Sequence, residues 1–511
     1  MGITVGIDLG TTNSVVARLN EDGEPVILKN SEGKQKTRSV VQFRENETVV
    51  GEAALRAALR FPDTTVRQIK RYMGDEKWEI EAYGETYTPE QISALILEKL
   101  IKDAEEEIGG EEIDEAVITV PAYFGAKERE ATKNAAEIAG IEVKRLLNEP
   151  TAACLRYGLE DDEETVLVYD LGGGTFDATV VNLSQKDGVT VDGVKGGQQL
   201  GGDDFDRALY EEVMYEEFVD QVDQDPAKDD ELEWQLLETA KEVKEDLSVA
   251  ESAWATMNLG TESYEQEITR EEFNEATEHL VDETLDIIDD LFDSDNVGSK
   301  KDDVDRVLLV GGSTRIPIVQ QRVEDYFDVE PSKELDQDMV VAEGAAMATD
   351  LEQLEMKLDG DFQGEGSSVF TDVVSKTIGI EAVDLQSEDG DTRFVPVLEE
   401  NTEVPATSER EDFTTVEDGQ TSLEIRILEG GDPDPEKNER LGRFMLEGIP
   451  RQPAGEPEFR ITFRVDEDGV LHAEAENIET GEQADTTLDI GLSQTGIAVA
   501  REQHEEIPDV R

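Results

Sequence analysis

The chain has 511 residues, of which 124 are Asp or Glu and 46 are Lys or Arg, so its formal net charge is −78. Binding to nucleic acid or to an anionic membrane requires a basic surface, and this composition argues against both. The hydrophobic residues, 37% of the chain, lie in periodic runs, which argues against disorder despite the high charge. Salt screens the repulsion within a carboxylate-coated surface, so we interpret the acidic surplus as adaptation to a salt-rich cytoplasm.

The sequence carries no sign of export or of membrane insertion. The N-terminal segment MGITVGIDLG has neither the basic start nor the apolar stretch of a signal peptide, and no apolar run reaches the ~20 residues of a membrane helix. We therefore predict a cytoplasmic protein. The single cysteine, Cys154, lies among small apolar residues, which favours a buried structural thiol over a nucleophile.

Up to about residue 350, strand-like runs alternate with helical runs, which predicts an α/β architecture with mostly parallel central strands. The predicted strands are 3–8, 14–19, 115–120, 165–170, 177–183 and 305–310. The predicted helices are 126–139, 203–219, 231–249, 271–292 and 316–326.

From about residue 375 the helical periodicity gives way to alternation with a period of two, which predicts a β-sandwich. Leu423, Ile425 and Ile427 share one face of such a strand, and Phe459, Ile461, Phe463 and Val465 share a face of another. The Gly/Ser-rich stretch DGDFQGEGSS (359–368) is typical of a linker. The predicted units are a first domain over 1–358, a linker over 359–373, a β-sandwich over 374–495 and a polar, frayed tail over 496–511.

Two segments of the first domain follow one plan. ITVGIDLGTTNSVVARL (3–19) and TVLVYDLGGGTFDATVVNL (165–183) each contain a strand, then Asp-Leu-Gly, then a small polar turn and a second strand. This internal repeat predicts a duplicated lobe, with one hairpin on each side of a cleft.

A buried strand that ends in Asp and continues into Gly and Thr suits phosphate and Mg²⁺ binding. The carboxylates of Asp8 and Asp170 can face a hydrated Mg²⁺, and the following glycines leave backbone N–H groups open to phosphate oxygens. Thr11, Thr12 and Thr175 add hydroxyl donors. Either loop alone is equally well an ordinary hairpin turn, whereas two in register favour a clamp around a triphosphate. Two other phosphate-binding motifs, G-x-x-x-x-G-K-[ST] and a G-x-G-x-x-G that opens a helix after a strand, do not occur in the sequence.

Two further segments are less specific by themselves. The turn in LLVGGSTRIPIV (308–319) follows a buried strand and suits close approach of a purine or ribose, but it also fits a plain strand-to-helix turn. Glu149, in LLNEPTAA (146–153), lies at a predicted helix start, where a carboxylate is usually part of a cap.

These segments together resemble the Hsp70/DnaK family of ATP-dependent chaperones, strongly over 1–350 and moderately over 374–492. The motifs that carry the resemblance are VGIDLGTTNSVVA (5–17), IKRYMG (69–74), EAVITVPAYF (115–124), VKRLLNEPTAA (143–153), VYDLGGGTFD (168–177), LGGDDFD (200–206), VLLVGGSTRIPIVQ (307–320), ENTEVPA (400–406), EIRILEG (424–430), LGRFMLEGIP (441–450) and ITFRVDEDGVLHAEAEN (461–477). The resemblance implies an actin-like ATPase domain, a duplicated RNase H-like α/β fold, followed by an all-β sandwich that binds substrates.

The resemblance also implies a role for individual residues. Lys70, Glu149, Asp170 and Thr175 would act in hydrolysis, with Lys70 and Glu149 on either side of the attacking water. Asp8 and Asp170 would hold Mg²⁺ through water, and Asp177 would help to bind K⁺. The residues implied in binding ATP or ADP are Gly10, Thr11, Thr12, Asn13, Gly172, Gly173, Gly174, Thr175, Gly201, Gly202, Lys244, Ser248, Gly311, Gly312, Ser313, Arg315 and Asp338.

In the second domain the resemblance implies a groove for an extended hydrophobic peptide, lined by Ile380, Phe413, Leu423 and Ile425. For each of these residues a place in the sandwich core is nearly as well supported. J-domain co-chaperones and a nucleotide exchange factor are the implied partners. Arg145, Asn148 and Asp372 match positions that J-domain proteins contact. Pro121 and Arg129 match positions in the relay between nucleotide and linker.

The chain departs from the family pattern in four places. Thr371 interrupts the aliphatic linker in SVFTDVVS (368–375), and we expect no helical lid after the sandwich. The helix at 240–248 has Lys241 and Glu245 where the family usually has an acid and a base, and the stretch from Gly74 to Pro89 is short.

We therefore predict a lidless chaperone that hydrolyses ATP slowly and uses ATP to gate peptide binding. A regulatory co-chaperone with weak coupling between its domains is the alternative that the linker and the missing lid favour. A sugar kinase or a filament-forming protein with the actin fold is less consistent with the β-rich second half.

Overall fold

The structure is a computed structural model, and it describes residues 3–58, 60–158, 163–184, 188–197, 199–260, 262–332, 335–350, 369–383, 391–466, 469–487, 494–507 and 510–511. The predicted linker segment 359–368 lies outside the described residues. Among the described residues, no helix is both long enough and apolar enough to span a bilayer.

The first part of the chain alternates strands and helices, as predicted. Its elements are β1 (Ile3–Asp8), β2 (Asn13–Leu19), β3 (Pro25–Leu28), β4 (Thr37–Arg38), β5 (Val40–Phe43), β6 (Thr48–Val50), α1 (Glu52–Ala58), β7 (Thr65–Arg67), β8 (Ile80–Ala82), β9 (Glu85–Tyr87), α2 (Pro89–Glu107), β10 (Ile113–Val120), α3 (Ala126–Ile138), β11 (Glu142–Asn148), α4 (Glu149–Tyr157), β12 (Glu164–Leu171), β13 (Phe176–Ser184), β14 (Gly188–Gly197), α5 (Gly202–Leu209), α6 (Tyr215–Val222), α7 (Asp230–Leu247), β15 (Ser252–Leu259), β16 (Glu262–Thr269), α8 (Arg270–Phe292), β17 (Arg306–Val310), α9 (Pro317–Phe327) and α10 (Val340–Met347).

The second part is built almost entirely of strands. Its elements are β18 (Phe370–Thr371), β19 (Ile378–Val383), β20 (Thr392–Leu398), β21 (Ala406–Thr414), β22 (Ser422–Glu429), β23 (Glu439–Glu447), β24 (Glu458–Val465), β25 (Leu471–Asn477), β26 (Gln483–Thr487) and α11 (Gln494–Glu506).

Two sheets of the first part have the same plan. One has the strand order β11-β10-β1-β2-β3, and the other has the order β17-β12-β13-β14-β18. In each sheet an antiparallel hairpin, β1–β2 or β12–β13, has a parallel strand on its other side, β10 or β17. The central strands are buried on both faces, as parallel strands between helices usually are. The repeat found in the sequence therefore corresponds to two similar hairpins, one in each sheet.

The helix predicted over 203–219 is interrupted. Between α5 and α6, Tyr210–Met214 forms a π-helical turn. Phe205 and Leu209 are buried in α5, while Met214, Phe218 and Val222 are buried beyond it. The extra residue of a π turn shifts the apolar stripe by one position, so that both helices face the same core.

The second part forms two four-stranded sheets, in the orders β20-β19-β22-β23 and β21-β24-β25-β26. Phe459, Ile461 and Phe463 are fully buried between the sheets, together with Ile427. The predicted alternation along β22 and β24 is therefore confirmed, because one face of each strand forms the core.

The segment after the sandwich differs from the frayed tail predicted over 496–511. Residues Gln494–Glu506 form α11, and Ile497 and Ala500 pack against Ala94 of α2 and Ile138 of α3. Further on, the backbone of Arg511 exchanges hydrogen bonds with Thr48 and Val50 at the edge of β6. The segment thus has apolar contacts in the first part of the chain, which its short apolar pattern did not reveal.

Candidate active site

The turns of the two hairpins face each other. A Cβ atom added to Gly173 would lie 2.0 Å from Thr12 Oγ1, and one added to Gly174 would lie 2.9 Å from Thr11 Cγ2. Any side chain at these glycines would therefore collide with the opposite turn. Asn13 begins β2, next to this contact, and a Cβ atom at Gly10 would lie 2.1 Å from its carbonyl oxygen.

The N-terminus of α5 closes the second turn. The N–H of Gly202 donates to Gly172 O at 2.9 Å, and Ser313 Oγ donates to the same oxygen at 2.8 Å. A Cβ atom at Gly201 would lie 2.6 Å from the backbone of Gly174. Loops distant in sequence therefore meet at one edge, where the first N–H groups of α5 hold the second turn in place.

Half-buried carboxylates lie beneath these loops. Asp8 is at the end of β1, and Asp170 is in the equivalent β12. Burial, followed by the negative charge of Glu149, raises the pKa of Asp8 to about 7 and the pKa of Asp170 well above its usual value. Lys70 Nζ lies 2.5 Å from Glu149 Oε1, and both side chains are about nine-tenths buried.

A bound cation fits this cluster. The carboxylates of Asp8, Asp170 and Glu149 repel one another. The positive charge of Lys70 opposes this repulsion and so lowers the pKa of both aspartates. Oxygen-rich sites with such an excess of negative charge are typical of Mg²⁺. The residues present therefore fit the ion that the sequence predicted.

Asp177 lies close to this cluster, at the start of β13. Its Oδ2 accepts the N–H of Ala122 at 2.7 Å, whereas its buried Oδ1 has no hydrogen-bond partner. Burial raises the pKa of Asp177 well above its usual value. The orphaned oxygen can accept a further ligand, and a cation suits it.

A cavity of about 1,170 Å³ opens from the two turns towards α7 and the turn after β17. Thr12, Asn13, Gly173, Gly202, Lys244, Ser248, Gly312, Ser313, Arg315 and Asp338 line it, as predicted residues, together with Lys241 and Glu245. Gly311 adopts a φ of +82°, and a Cβ atom there would lie 2.4 Å from Leu171 O. This glycine is required because the turn has a left-handed φ and packs directly on β12.

Several charged side chains at the cavity already have partners. Lys244 Nζ donates to Gly202 O at 2.6 Å and pairs with Asp206 at 2.7 Å. Asp338 accepts from Arg315 at 3.1 Å and from Lys36 at 3.0 Å. The pair of Lys36 and Asp338 connects the loop before β4 to the segment before α10.

The sequence reasoning missed two of the residues that bridge the cleft. Arg71 donates to Asp204 at 3.2 Å and packs against Gly174, and Lys36 reaches Asp338 from the loop before β4. The position of Arg71, directly after Lys70, was a usable signal. Lys36 offered none, since its partner is 302 positions away.

Arg129, matched to the relay, contacts Asn148, which was matched to J-domain contact, whereas Pro121 stands apart from them. Arg129 donates to Asn148 Oδ1 at 2.7 Å, and Asn148 donates to Asp372. The guanidinium of Arg145 lies 4.9 Å from the ring centroid of Phe370. Pro121 is buried nearby, where its carbonyl accepts the N–H of Phe124, but it has no direct contact with this network among the hydrogen bonds of the described residues.

The segment around Phe370 joins the second sheet. β18 pairs in parallel with β14, and the N–H of Val189 donates to Val369 O at 2.9 Å. Val369 and Val373 are buried in the core of the first part, while Thr371 is half-buried. Thr371 therefore does not prevent the apolar residues on either side from docking.

The predicted groove residues divide into two pairs. Ile380 and Ile425 are buried in the sandwich core, 4% and 2% exposed, whereas Phe413 and Leu423 are half-buried at its margin. Cys154 is fully buried, and burial raises the pKa of its thiol, so it is a structural residue as predicted.

Comparisons with known proteins agree with this arrangement. The family model described as Hsp70 protein matches residues 4–79 and 74–508. Proteins named chaperone protein DnaK from two strains of Halobacterium salinarum, R1 and NRC-1, are each 40% identical over 513 residues. The match covers 98% of this chain and 77% of each relative. The chain belongs to the Hsp70 family.

Proposed function

We propose that ATP binding and hydrolysis in the α/β part of the chain gate the binding of extended hydrophobic peptides by the β-sandwich. As a member of the Hsp70 family, the chain is a molecular chaperone and an ATPase. The observation that carries the gating proposal is the docked segment around β18, which continues the second sheet and leads directly into the sandwich. This pairing supports coupled domains, and no observation favours the co-chaperone alternative.

We further propose the finer architecture. The two similar sheets support a duplicated, actin-like RNase H arrangement over 1–358, with a linker over 359–373 and a peptide-binding sandwich over 374–495. The site then lies between the lobes, where the β1–β2 and β12–β13 turns face each other. Residues 496–511 are proposed as a docked segment in place of the frayed tail.

In the proposed mechanism, this chain's residues position the reacting groups and neutralise charge, which is most of what phosphoryl transfer requires. Thr11, Thr12 and Gly172–Thr175 hold the phosphates through N–H and hydroxyl groups. Lys70 neutralises the γ-phosphate, and Glu149 orients the attacking water and accepts its proton. The ion pair between Lys70 and Glu149 supports this proposal, because it holds the two groups next to each other.

Asp8 and Asp170 are the proposed holders of Mg²⁺, acting through water molecules. When bound, Mg²⁺ neutralises charge that develops on the phosphate oxygens. K⁺ is proposed at Asp177, which has one orphaned oxygen. Gly201, Gly202, Lys244, Ser248, Gly311–Ser313, Arg315 and Asp338 are proposed to hold the nucleoside.

In the sandwich, Phe413 and Leu423 are the better supported of the four groove residues, because their side chains pack against the core and are only partly buried. We propose that a peptide binds there by backbone hydrogen bonds and one apolar side chain. Pro121 and Arg129 are proposed to relay the nucleotide state to the linker, and Arg145, Asn148 and Asp372 are proposed to contact a J-domain protein. Unfolded polypeptides, a J-domain protein and an exchange factor are the proposed partners, and the cytoplasm is the proposed location.

The test is ATP turnover in concentrated KCl, with and without an unfolded peptide. Coupled domains predict that peptide stimulates hydrolysis, and Leu423→Asp should abolish the stimulation while the basal rate is unchanged. Hydrolysis that is indifferent to peptide would contradict the coupling and favour the co-chaperone. An unaltered peptide affinity in Leu423→Asp would remove the groove assignment.

A further inference from the structure

Where the sandwich docks on the first part of the chain, a carboxylate is buried. Glu429, at the end of β22, is 3% exposed and lies against the N-terminus of α3. Its Oε1 accepts the N–H of Ala126 at 3.2 Å, and its Oε2 would lie 2.0 Å from a Cβ atom at Gly125. Both contacts are made across the domain boundary, so docking itself removes this carboxylate from water.

Glu429 Oε2 is incompletely compensated. It has no hydrogen-bond partner, and Lys376 Nζ, the nearest cation, is 3.9 Å away. Lys376 lies closer to Glu128 of α3, at 3.1 Å. A buried carboxylate oxygen without a hydrogen bond is costly when it is charged.

The neighbouring charges leave an excess of negative charge. Oxygens of Glu128, Glu429 and Glu439 lie within 4.8 Å of one another, so these three carboxylates face two ammonium groups, Lys376 and Lys127. Lys127 lies 3.6 Å from Glu439 and also pairs with Glu76, which is 74% exposed. Lys376 is therefore shared between Glu128 and Glu429, and Lys127 is shared between Glu439 and Glu76.

We propose that the docked interface takes up a proton at Glu429, so that docking of the sandwich depends on pH. A protonated Glu429 can donate from Oε2 and no longer repels Glu128 and Glu439. Undocking returns the carboxyl to water, where it ionises. The docked and undocked states of the chain then differ by one bound proton.

The direction of the pH dependence follows from the pKa of Glu429. In the docked state burial raises this pKa from 4.5 to about 7, although the positive charge of Lys376 opposes the increase. Because the docked pKa is the higher one, protonation favours docking fully below pH ~4.5, and this contribution is lost as pH rises through ~7. One such group predicts a docking constant about tenfold lower at pH 8 than at pH 6.

Two other interface carboxyls also have raised pKa values, and the test must separate them from Glu429. Glu439 is half-buried beside Lys127, and Asp372 is half-buried beside Arg129 and Asn148. Glu429→Gln leaves both of these carboxyls in the chain, preserves the shape of the Glu429 side chain and removes its ionisation. Any pH dependence that Glu429→Gln abolishes therefore belongs to Glu429.

The experiment measures docking by energy transfer between fluorophores on cysteines introduced at exposed Lys228 and Thr480, one in each half of the chain. The native Cys154 is buried, so the introduced thiols react first. The ATP-bound chain is titrated from pH 6 to 8 at constant KCl. The control is Glu400→Gln, which removes another interface carboxylate that pairs with Lys195 and is about one-third exposed.

We expect the docking constant of the unsubstituted chain and of Glu400→Gln to fall about tenfold from pH 6 to 8. Glu429→Gln should remain docked throughout this range. An unchanged pH slope in Glu429→Gln would overturn the proposal. Docking that depends on the K⁺ concentration at constant ionic strength, without a pH slope, would also overturn the proposal. It would show that a bound cation, rather than a proton, compensates the charge of Glu429. Docking needs no peptide and no turnover, so these results are independent of the peptide-stimulation test.

Discussion

At the residue scale, Lys70 and Glu149 are the pair to which the proposed mechanism assigns hydrolysis. The two residues are 79 positions apart in sequence, yet their charged atoms lie 2.5 Å apart in a buried setting next to Asp8 and Asp170. The pair therefore has two effects, since it orders both side chains and offsets part of the carboxylate repulsion.

Lys70→Ala should retain nucleotide binding and lose hydrolysis by about a hundred-fold or more, because it removes a fixed charge from the developing transition state. Single-turnover hydrolysis and nucleotide affinity, measured separately, check this prediction. Lys77→Ala is the control, since Lys77 is an exposed lysine in the same segment. Hydrolysis at the original rate in Lys70→Ala would remove Lys70 from the mechanism.

At the element scale, the periodicity of the sequence predicted elements well wherever a long apolar pattern exists. The bounds of β1 match the prediction, and the bounds of α8 differ from it by one residue. The phosphate turns were predictable because each is encoded in one short segment. Lys36 was not, because its partner lies 302 positions away. Arg71 had one usable signal, its place directly after Lys70, although its partner lies 133 positions away. The sequence also did not predict the cluster of Glu128, Glu429 and Glu439, because its members come from three separate segments of the chain.

Helix α11 shows how a short apolar stripe goes unnoticed. Ile497 and Ala500 face α2 and α3, whereas Val499 on the same helix is 51% exposed. Ile497→Asp should release α11 from the first part of the chain, because an ionised carboxylate is not tolerated in an apolar contact. Hydrogen exchange of residues 494–507 should then rise to the rate of an unprotected segment.

Val499→Asp is the matched control for α11, with the same added charge on the exposed side of the same helix. It should leave the exchange of this segment unchanged. If both variants exchange alike, the packing of α11 on α2 and α3 is not what protects it.

At the scale of the whole molecule, the net charge of −78 determines how the fold responds to salt. Many exposed ion pairs are present, such as Arg207 with Glu211 at 3.4 Å, and each contributes little. The far more numerous unpaired carboxylates repel one another, and this repulsion grows as the screening length lengthens from about 3 Å in 1 M salt to about 10 Å in 0.1 M. Lowering salt should therefore weaken the fold, although it strengthens the individual ion pairs.

The melting temperature should accordingly fall as KCl is lowered from concentrated to dilute solution. Choline chloride at matched ionic strength separates the two possible causes, since it screens charge without supplying K⁺. Equal protection by both salts would assign the effect to screening of the carboxylate surface. Greater protection by KCl would assign part of it to bound K⁺, for which Asp177 is the proposed site. A melting temperature that is flat across salt would contradict the adaptation inferred from composition, because repulsion among so many carboxylates must respond to screening.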